Sequence, residues 1–187
     1  MSLFQEAKTL PEILKLNIIL SDFEDWKIIG STKLNLIYKA DLDIKIMTGS
    51  DLEISTKILL SKLKGLAPKE KIVVRKITGS LFNVCIPKWI NSKTKTCWNL
   101  DFGLCSCDFY TKEINNFNNL KKQVEKISNK ENSLILEIKE RFSGNEKYGW
   151  GAMIYLAVIN HKIKSVQGYF DLVDNKVIDP SNCKWKA

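Results

Sequence analysis

Strict alternation of apolar and polar residues marks two stretches of the first 110 residues as half-buried strands. In one, charged side chains separate Leu42, Ile44 and Ile46, and in the other, 95–104, large apolar residues recur at every second position. Because successive side chains of a strand point to opposite faces, each strand has one apolar and one polar face. Shorter apolar runs predict further strands at residues 26–29, 72–77 and 81–86, and another after Pro87.

Apolar residues at helical spacing predict two helices among these strands. The first is expected to begin at Thr9 and to continue toward Ser21, and the second to cover residues 51–63. Beyond about Tyr110 the strand patterns stop. Helices are predicted at 117–127, 133–142 and 148–159, with a short one after Ser165. The pattern therefore divides the chain into a region of strands and helices, residues 1–110, and a helical bundle, residues 111–187.

The charge of the chain favours contact with anions without identifying one. Among 187 residues, 29 are basic and 21 acidic, which gives a formal charge of +8. Arg75 and Arg141 are the only arginines, and lysine attracts phosphate without the bidentate reading of bases that arginine offers. A solvated basic surface is therefore preferred over a dedicated nucleic-acid face.

The same sequence predicts a cytoplasmic protein without a membrane segment. Its longest apolar stretch, 150–159, is much shorter than the roughly 20 residues that a bilayer span needs. Glu6 and Pro11 interrupt the N-terminal region where a secretory signal would be continuously apolar. An odd number of cysteines indicates reduced thiols rather than an exported disulfide framework. The five are Cys85, Cys97, Cys105, Cys107 and Cys183.

Three aspartates and a Gly-Ser pair are the candidates for chemistry. Gly30 lets the backbone approach a ligand closely, and Ser31 adds an amide and a hydroxyl that suit a phosphate. Asp41 and Asp43 are two residues apart on a strand, so both carboxylates leave the same face within reach of one divalent cation. Asp101 lies on the polar face of the later strand and joins them if the two strands are neighbours.

These residues resemble the motifs of the nucleotidyltransferase superfamily, which includes DNA polymerase beta, poly(A) and CCA-adding enzymes and minimal nucleotidyltransferases. Gly30-Ser31, then Asp41-Leu42-Asp43, then Asp101 in a hydrophobic strand carry the resemblance, which covers about residues 10–105. It implies an α+β fold with a mixed β-sheet core and flanking helices. It also implies transfer of a nucleoside monophosphate from a nucleoside triphosphate, such as ATP, to a hydroxyl.

The expected site has a role for each of these residues. Asp41, Asp43 and Asp101 are expected to bind Mg²⁺ or Mn²⁺, and Asp101 also to activate the acceptor hydroxyl. Gly30 and Ser31 are expected to hold the β and γ phosphates. Two lysines between the Gly-Ser pair and Asp41 are also expected to contact the triphosphate, namely Lys33 and Lys39.

Other interpretations of the same residues stay open. Asp41 and Asp43 could form the solvated face of an edge strand, and the two lysines could belong to a solvated loop. Asp108 or Glu113, close in sequence, could take the place of Asp101. The alternative functions are a non-catalytic nucleic-acid-binding module and an antitoxin-like protein that acts on a partner. The acceptor of an enzyme could be RNA, a protein or a small molecule.

Overall fold

A five-stranded mixed sheet is the centre of the N-terminal part of the protein, which we describe from a computed structural model covering residues 2–49, 51–68 and 71–179. The strand order is β1-β2-β5-β4-β3. The β2 and β5 strands are parallel, whereas the other neighbouring pairs are antiparallel. The predicted α+β fold with a mixed sheet and flanking helices is confirmed. The strands are β1 (Asp25–Ile29), β2 (Asp41–Thr48), β3 (Val73–Thr78), β4 (Leu81–Ile90) and β5 (Cys97–Ser106).

The helices fall into two groups along the chain, as the pattern predicts. The first group is α1 (Leu3–Ile13), α2 (Leu16–Ile19), α3 (Gly30–Leu34) and α4 (Leu52–Leu63). The second, which follows the last strand, is α5 (Cys107–Val124), α6 (Asn129–Arg141), α7 (Gly151–Ile159) and α8 (Val166–Asp174). The chain forms two compact units, Met1–Asn115 and Asn116–Ala187. The domain boundary predicted between residues 110 and 111 falls inside α5.

The predicted first helix is wrong in its bounds. It begins at Leu3 rather than Thr9, because Ser2 and Gln5 form a capping box at its N-terminus. It ends at Ile13, since Lys15 takes the left-handed conformation with φ of 53°, and α2 follows as a separate short helix. Pro11 consequently lies near the end of α1 and not in its first turn.

Other boundaries also differ from the sequence prediction. The α5 helix begins ten residues earlier than the predicted 117, and α6 begins at Asn129 because Ser128 caps it. The two strands predicted on either side of Pro87 are one strand, β4. Its pairing with β5 is irregular between Ile86 and Trp89, which is where a proline is tolerated in a strand.

One face of the sheet is the hydrophobic core of the N-terminal unit. The apolar halves of the two alternating patterns all point to this face, and each of these side chains is at most 1 % exposed. Helices α1, α2 and α4 contribute the apolar side chains that pack against them. The opposite face consequently receives the polar halves of the same patterns. The core residues from β2 and β5 are Leu42, Ile44, Ile46, Trp98, Leu100, Phe102 and Leu104.

A buried carboxylate joins α1 to the sheet. Glu6 is 2 % exposed, and its oxygens accept hydrogen bonds from Trp98 Nε1 at 2.9 Å and Asn91 Nδ2 at 2.8 Å. The hydroxyls of Thr94 and Thr96 donate to it at 2.5 and 2.7 Å. Burial raises the pKa of Glu6, but the four hydrogen bonds lower it further, so the pKa lies below its usual value. Glu6 therefore stays ionised inside the protein.

Two further predictions, on membrane segments and on the cysteines, can be compared with the structure. No helix within residues 2–49, 51–68 and 71–179 is long and apolar enough to cross a membrane. Cys85, Cys97, Cys105 and Cys107 are free thiols, and Cys183 lies outside the described residues.

Candidate active site

The polar face of the sheet brings the three aspartates together. Asp43 of β2 is the register partner of Asp101 of β5, on strands that lie about 4.8 Å apart. Asp41, two residues before Asp43, is paired with Asn99 on the same face. The parallel pairing of β2 and β5 thus places three carboxylates side by side, although 58 residues separate Asp43 from Asp101 in the chain.

Polar neighbours fix the outer two carboxylates. Lys39 Nζ lies 2.7 Å from Asp41 Oδ2, and Asn99 Nδ2 donates to Asp41 Oδ1 at 2.9 Å. On the other side, Asn83 Nδ2 of β4 donates to Asp101 Oδ1 at 3.2 Å. These contacts hold the two carboxylate groups in defined positions at the surface of the sheet.

The site destabilises the ionised form of the middle aspartate, Asp43. Burial raises its pKa to about 6, and the negative charges of Asp101 and Asp41 contribute in the same direction. Lys45 and Lys39 oppose this shift without cancelling it. The site consequently has an excess of negative charge, which a bound cation would relieve.

The half-buried thiol of Cys85 completes the row beside Asp101. Cys85 of β4 is the register partner of Asp101. Burial raises the pKa of Cys85 to about 12, and the charge of Asp101 and a hydrogen bond to it add to the shift. The thiol is therefore protonated at neutral pH and acts as a hydrogen-bond partner for Asp101, not as a nucleophile.

The Gly-Ser pair lies directly against the central aspartate. Gly30 begins α3 with a φ of +72°, and a Cβ placed on it would overlap Asp43 Oδ2. Glycine is therefore required here both for its backbone conformation and for space. Ser31 follows in the first turn of α3, and Thr32 Oγ1 donates to the main-chain oxygen of Asp41 at 2.9 Å. The β1–α3 turn is thus fastened to the start of β2.

The two candidate lysines have different surroundings. Lys39 is paired with Asp41, within the carboxylate group. Lys33 is exposed and lines a cavity together with Phe4, Pro11 and Ile28, which belong to α1 and to the apolar face of β1. The structure therefore brings Lys39, Gly30 and the aspartates together and places Lys33 with α1.

The carboxylates fit a hard divalent cation in their chemistry. Magnesium and manganese prefer oxygen ligands, and the raised pKa of Asp43 indicates that two carboxylates are close enough to repel. With the side chains as placed, the described residues contain no group of three or more His, Cys, Asp or Glu that could hold a metal ion. Asp41 is paired with Lys39 and Asp101 with Asn83, so an ion would exchange with these partners.

Sequence patterns alone missed several residues of the site. Asn99 shares the polar face of β5 with Asp101, so the alternation contains a signal for it. Asn83 and Cys85 occupy alternate positions of β4, where the same period applies. No local signal indicated that β4 lies beside β5. A cavity of about 270 Å³ lies over the polar face of the sheet, with Asp43, Lys45, Asn83 and Asp101 in its lining.

Comparison with known proteins identifies the fold. No protein-family model and no curated protein matches the chain. A cytoplasmic RNA terminal U-transferase matches with a TM-score of 0.60 and 15 % identity, over 86 % of this chain and 49 % of that one. The Cid1 poly(U) polymerase with MgGTP bound matches with a TM-score of 0.59 and 14 % identity, over 87 % and 52 %. This chain has the nucleotidyltransferase fold.

The nucleotidyltransferase fold of this chain agrees with the resemblance inferred from its motifs. The chain spans about half the length of the solved structures that it matches. At 14 to 15 % identity the likeness concerns the fold, and the chemistry of this chain has to be argued from its own residues.

Proposed function

We propose that the protein is a metal-dependent nucleotidyltransferase that moves a nucleoside monophosphate from a nucleoside triphosphate to a hydroxyl acceptor. One observation carries the proposal. Asp43 and Asp101 are register partners across the parallel β2–β5 pair, with Asp41 on the same face and Gly30 packed against Asp43. This arrangement combines an acidic group for a divalent cation with a glycine turn that suits a phosphate.

The chain's own residues have distinct tasks in this reaction. The ligands of Mg²⁺ or Mn²⁺ would be Asp41, Asp43 and Asp101. When bound, the ion supplies positive charge that offsets the negative charge of the triphosphate. Gly30 and Ser31 would hold the β and γ phosphates, and the ammonium group of Lys39 would lie close enough to contact them.

Asp101 acts on the acceptor. It takes the proton of the acceptor hydroxyl as the hydroxyl oxygen bonds to the α-phosphorus. The bond between that phosphorus and the α–β bridging oxygen breaks, and pyrophosphate leaves with the electron pair. The hydrogen bond from Asn83 holds the Asp101 carboxylate in the position that this proton transfer needs.

RNA is the acceptor that we propose to test first. Solved structures with the same fold are described as an RNA terminal U-transferase and as Cid1 in complex with its short product ApU, the latter with a TM-score of 0.55 and 15 % identity, over 87 % of this chain and 50 % of that one. Those descriptions belong to those proteins. For this chain, the exposed edge strand β3 and the cavity that reaches from it to Asp101 support an acceptor larger than a single small molecule.

The test is transfer of label from each radiolabelled nucleoside triphosphate, in the presence of Mg²⁺, to a short single-stranded RNA and, separately, to protein and metabolite fractions of a cell extract. The double variant Asp43→Asn, Asp101→Asn should lose transfer by at least about 100-fold. Asp51→Asn is the matched control, because Asp51 caps α4 away from the site and asparagine caps equally well. Equal transfer by both variants would refute the catalytic assignment.

The metal role has a separate test. Calorimetric titration with a nucleoside triphosphate and Mg²⁺ should show weaker binding after Asp41→Asn together with Asp43→Asn. Unchanged affinity would remove the metal role while leaving the fold and the acceptor question untouched.

A non-catalytic nucleic-acid-binding module is the second candidate, and the +8 charge of the chain is the observation that favours it. It predicts RNA binding with steep salt dependence, no metal requirement and no transfer of label. An antitoxin-like role predicts instead that a second protein co-purifies in a fixed ratio.

A further inference from the structure

The polar face of the sheet continues past Asp101 to the edge strand β3. In the row next to the aspartates, Lys45 of β2 is paired with Gly103 of β5, Gly103 with Asn83 of β4, and Asn83 with Arg75 of β3. Four strands separated by about 4.8 Å make this row roughly 14 Å long. We call Lys45, Asn83 and Arg75 the acceptor row. It begins two residues along the strands from Asp43 and Asp101, at the next position on the same face.

Gly103 shapes the inner end of the acceptor row. A Cβ on Gly103 would lie 3.1 Å from both Cδ and Nζ of Lys45, so the lysine side chain lies across the glycine. The side chain of Lys45 is 18 % exposed, and its Nζ is 4.0 Å from Glu113 Oε2. That distance is at the limit of an ion pair. The ammonium group is thus held over the sheet beside the aspartates, where it can meet an anion.

Arg75 forms the outer end on an exposed strand. All six residues of β3 are exposed, and Arg75 is one of the two arginines of the chain. Its neighbour Lys76 lies on the opposite face, where its Nζ is 5.4 Å from the centre of the Phe82 ring. Ile77, which is 53 % exposed, lines the cavity that also reaches Asp101. The edge therefore offers a cation and an apolar side chain on the same side as the catalytic carboxylates.

The order of the strands leaves different parts of the polar face for the triphosphate and for the acceptor. The glycine turn follows β1, which lies on one side of β2, whereas β4 and β3 lie beyond β5 on the other side. A triphosphate held at Gly30 thus leaves the β5–β4–β3 part of the face for the acceptor. A second explanation of Arg75 is that charged side chains on edge strands prevent aggregation. That role would be met on either face of β3 and does not require Arg75 to share a row with Lys45 and Asn83.

We propose that the acceptor row binds the phosphodiester backbone of a single-stranded polynucleotide and thereby directs its terminal hydroxyl to Asp101. Lys45 and Arg75 contact phosphates, and Asn83 links the row to Asp101 through its hydrogen bond. The inference deepens the proposed function and rests on it for the position of the hydroxyl. Cations at both ends of a roughly 14 Å row favour a chain with repeated phosphates over an acceptor with one.

The experiment measures binding alone. Fluorescence anisotropy follows a short labelled single-stranded RNA with the full-length protein, without nucleoside triphosphate or divalent metal, over a series of salt concentrations. The double variant Lys45→Gln, Arg75→Gln should bind roughly tenfold more weakly at low salt. Its plot of log affinity against log salt should be shallower by about 1.4, or 0.7 for each lost phosphate contact.

Lys76→Gln is the matched control, because it removes one charge from the same strand on the opposite face. It should leave affinity and slope unchanged, and thermal melting followed by circular dichroism should show all variants folded. Binding by the double variant equal to that of the unmodified protein would overturn the proposal, as would an equal loss in Lys76→Gln. Inhibition by a nucleoside monophosphate as strong as that by the RNA would also overturn it, because the row would then bind a single phosphate.

Failure of this inference is distinguishable from failure of the proposed function. The Asp43→Asn, Asp101→Asn variant should lose transfer of label but retain RNA binding with the same dependence on Lys45 and Arg75. Active transfer with no effect of the row on RNA affinity would refute the acceptor row alone. RNA binding through the row without transfer by the unmodified protein would refute the catalytic proposal alone.

Discussion

Replacement of Asp43 by asparagine should stabilise the protein in the absence of metal while abolishing the proposed nucleotidyl transfer. The pKa of Asp43 is raised from 3.8 to about 6 by burial and by the charges of Asp101 and Asp41. A shift of this size corresponds to about 3 kcal/mol between the protonated and ionised forms. Asparagine has nearly the same shape without the charge. The free energy of unfolding of Asp43→Asn should therefore exceed that of the unmodified protein by about 1–3 kcal/mol at pH 7.

The same shift fixes the sign of the pH dependence. Between pH 4 and pH 6 the folded protein binds the proton of Asp43 more tightly than the unfolded chain does, so stability falls as pH rises. The contribution of the protonated group is complete below pH 3.8 and is lost above about pH 6. Other carboxyl groups titrate in this range, so the difference between the variant and the unmodified protein isolates Asp43. That difference should grow from pH 4 to pH 6 and then stay constant.

Urea denaturation at several pH values, with a chelator and then with Mg²⁺, measures these quantities. If Asp43 is a metal ligand, Mg²⁺ at a hundred times its dissociation constant should stabilise the unmodified protein by about 2.7 kcal/mol and the variant much less. Asp51→Asn, which keeps a helix cap, should stay within about 0.5 kcal/mol throughout. A metal-free variant less stable than the unmodified protein at pH 7 would refute the electrostatic reasoning, and equal Mg²⁺ effects would refute the ligand role.

Two further substitutions test the scaffold around the site. Glu6→Gln should lower the free energy of unfolding at pH 7 by about 1–3 kcal/mol, because it removes a charged acceptor of four hydrogen bonds. Because the pKa of Glu6 is lowered, the unmodified protein should lose this stabilisation as pH falls below about 4.5. Thermal melts of Glu6→Gln at the same pH values should not show this loss. Identical pH profiles of stability for the two proteins would contradict the prediction. Gly30→Ala should cost at least about 1–2 kcal/mol in urea denaturation and impair transfer, because of its left-handed φ and the overlap with Asp43. Gly65→Ala, with open space around its Cβ, is the control, and an equal cost in both would argue against a special role for Gly30.

The sequence was least reliable where a boundary depends on a cap or on an irregular pairing. The start of α1 depends on the capping box of Ser2 and Gln5, which places the first helical residue, Leu3, six residues before the predicted start at Thr9. The continuity of β4 through Pro87 depends on an irregular register with β5, which is a property of two strands together. The helix α5 begins immediately after β5, and its early start was missed although Tyr110, Ile114 and Phe117 already recur at helical spacing.

Local periodicity by itself determined which side chains share a face of each strand. Asp41 and Asp43 leave one face of β2, and Asp101 leaves the polar face of β5, because the alternation of a strand fixes both once its apolar residues are buried. Only the tertiary structure decided that β5 lies between β2 and β4, and thus that Asp43 meets Asp101 and that Asn83 supports it. The physical reason is that strand pairing joins segments tens of residues apart, whose register depends on packing of the whole sheet rather than on any local pattern.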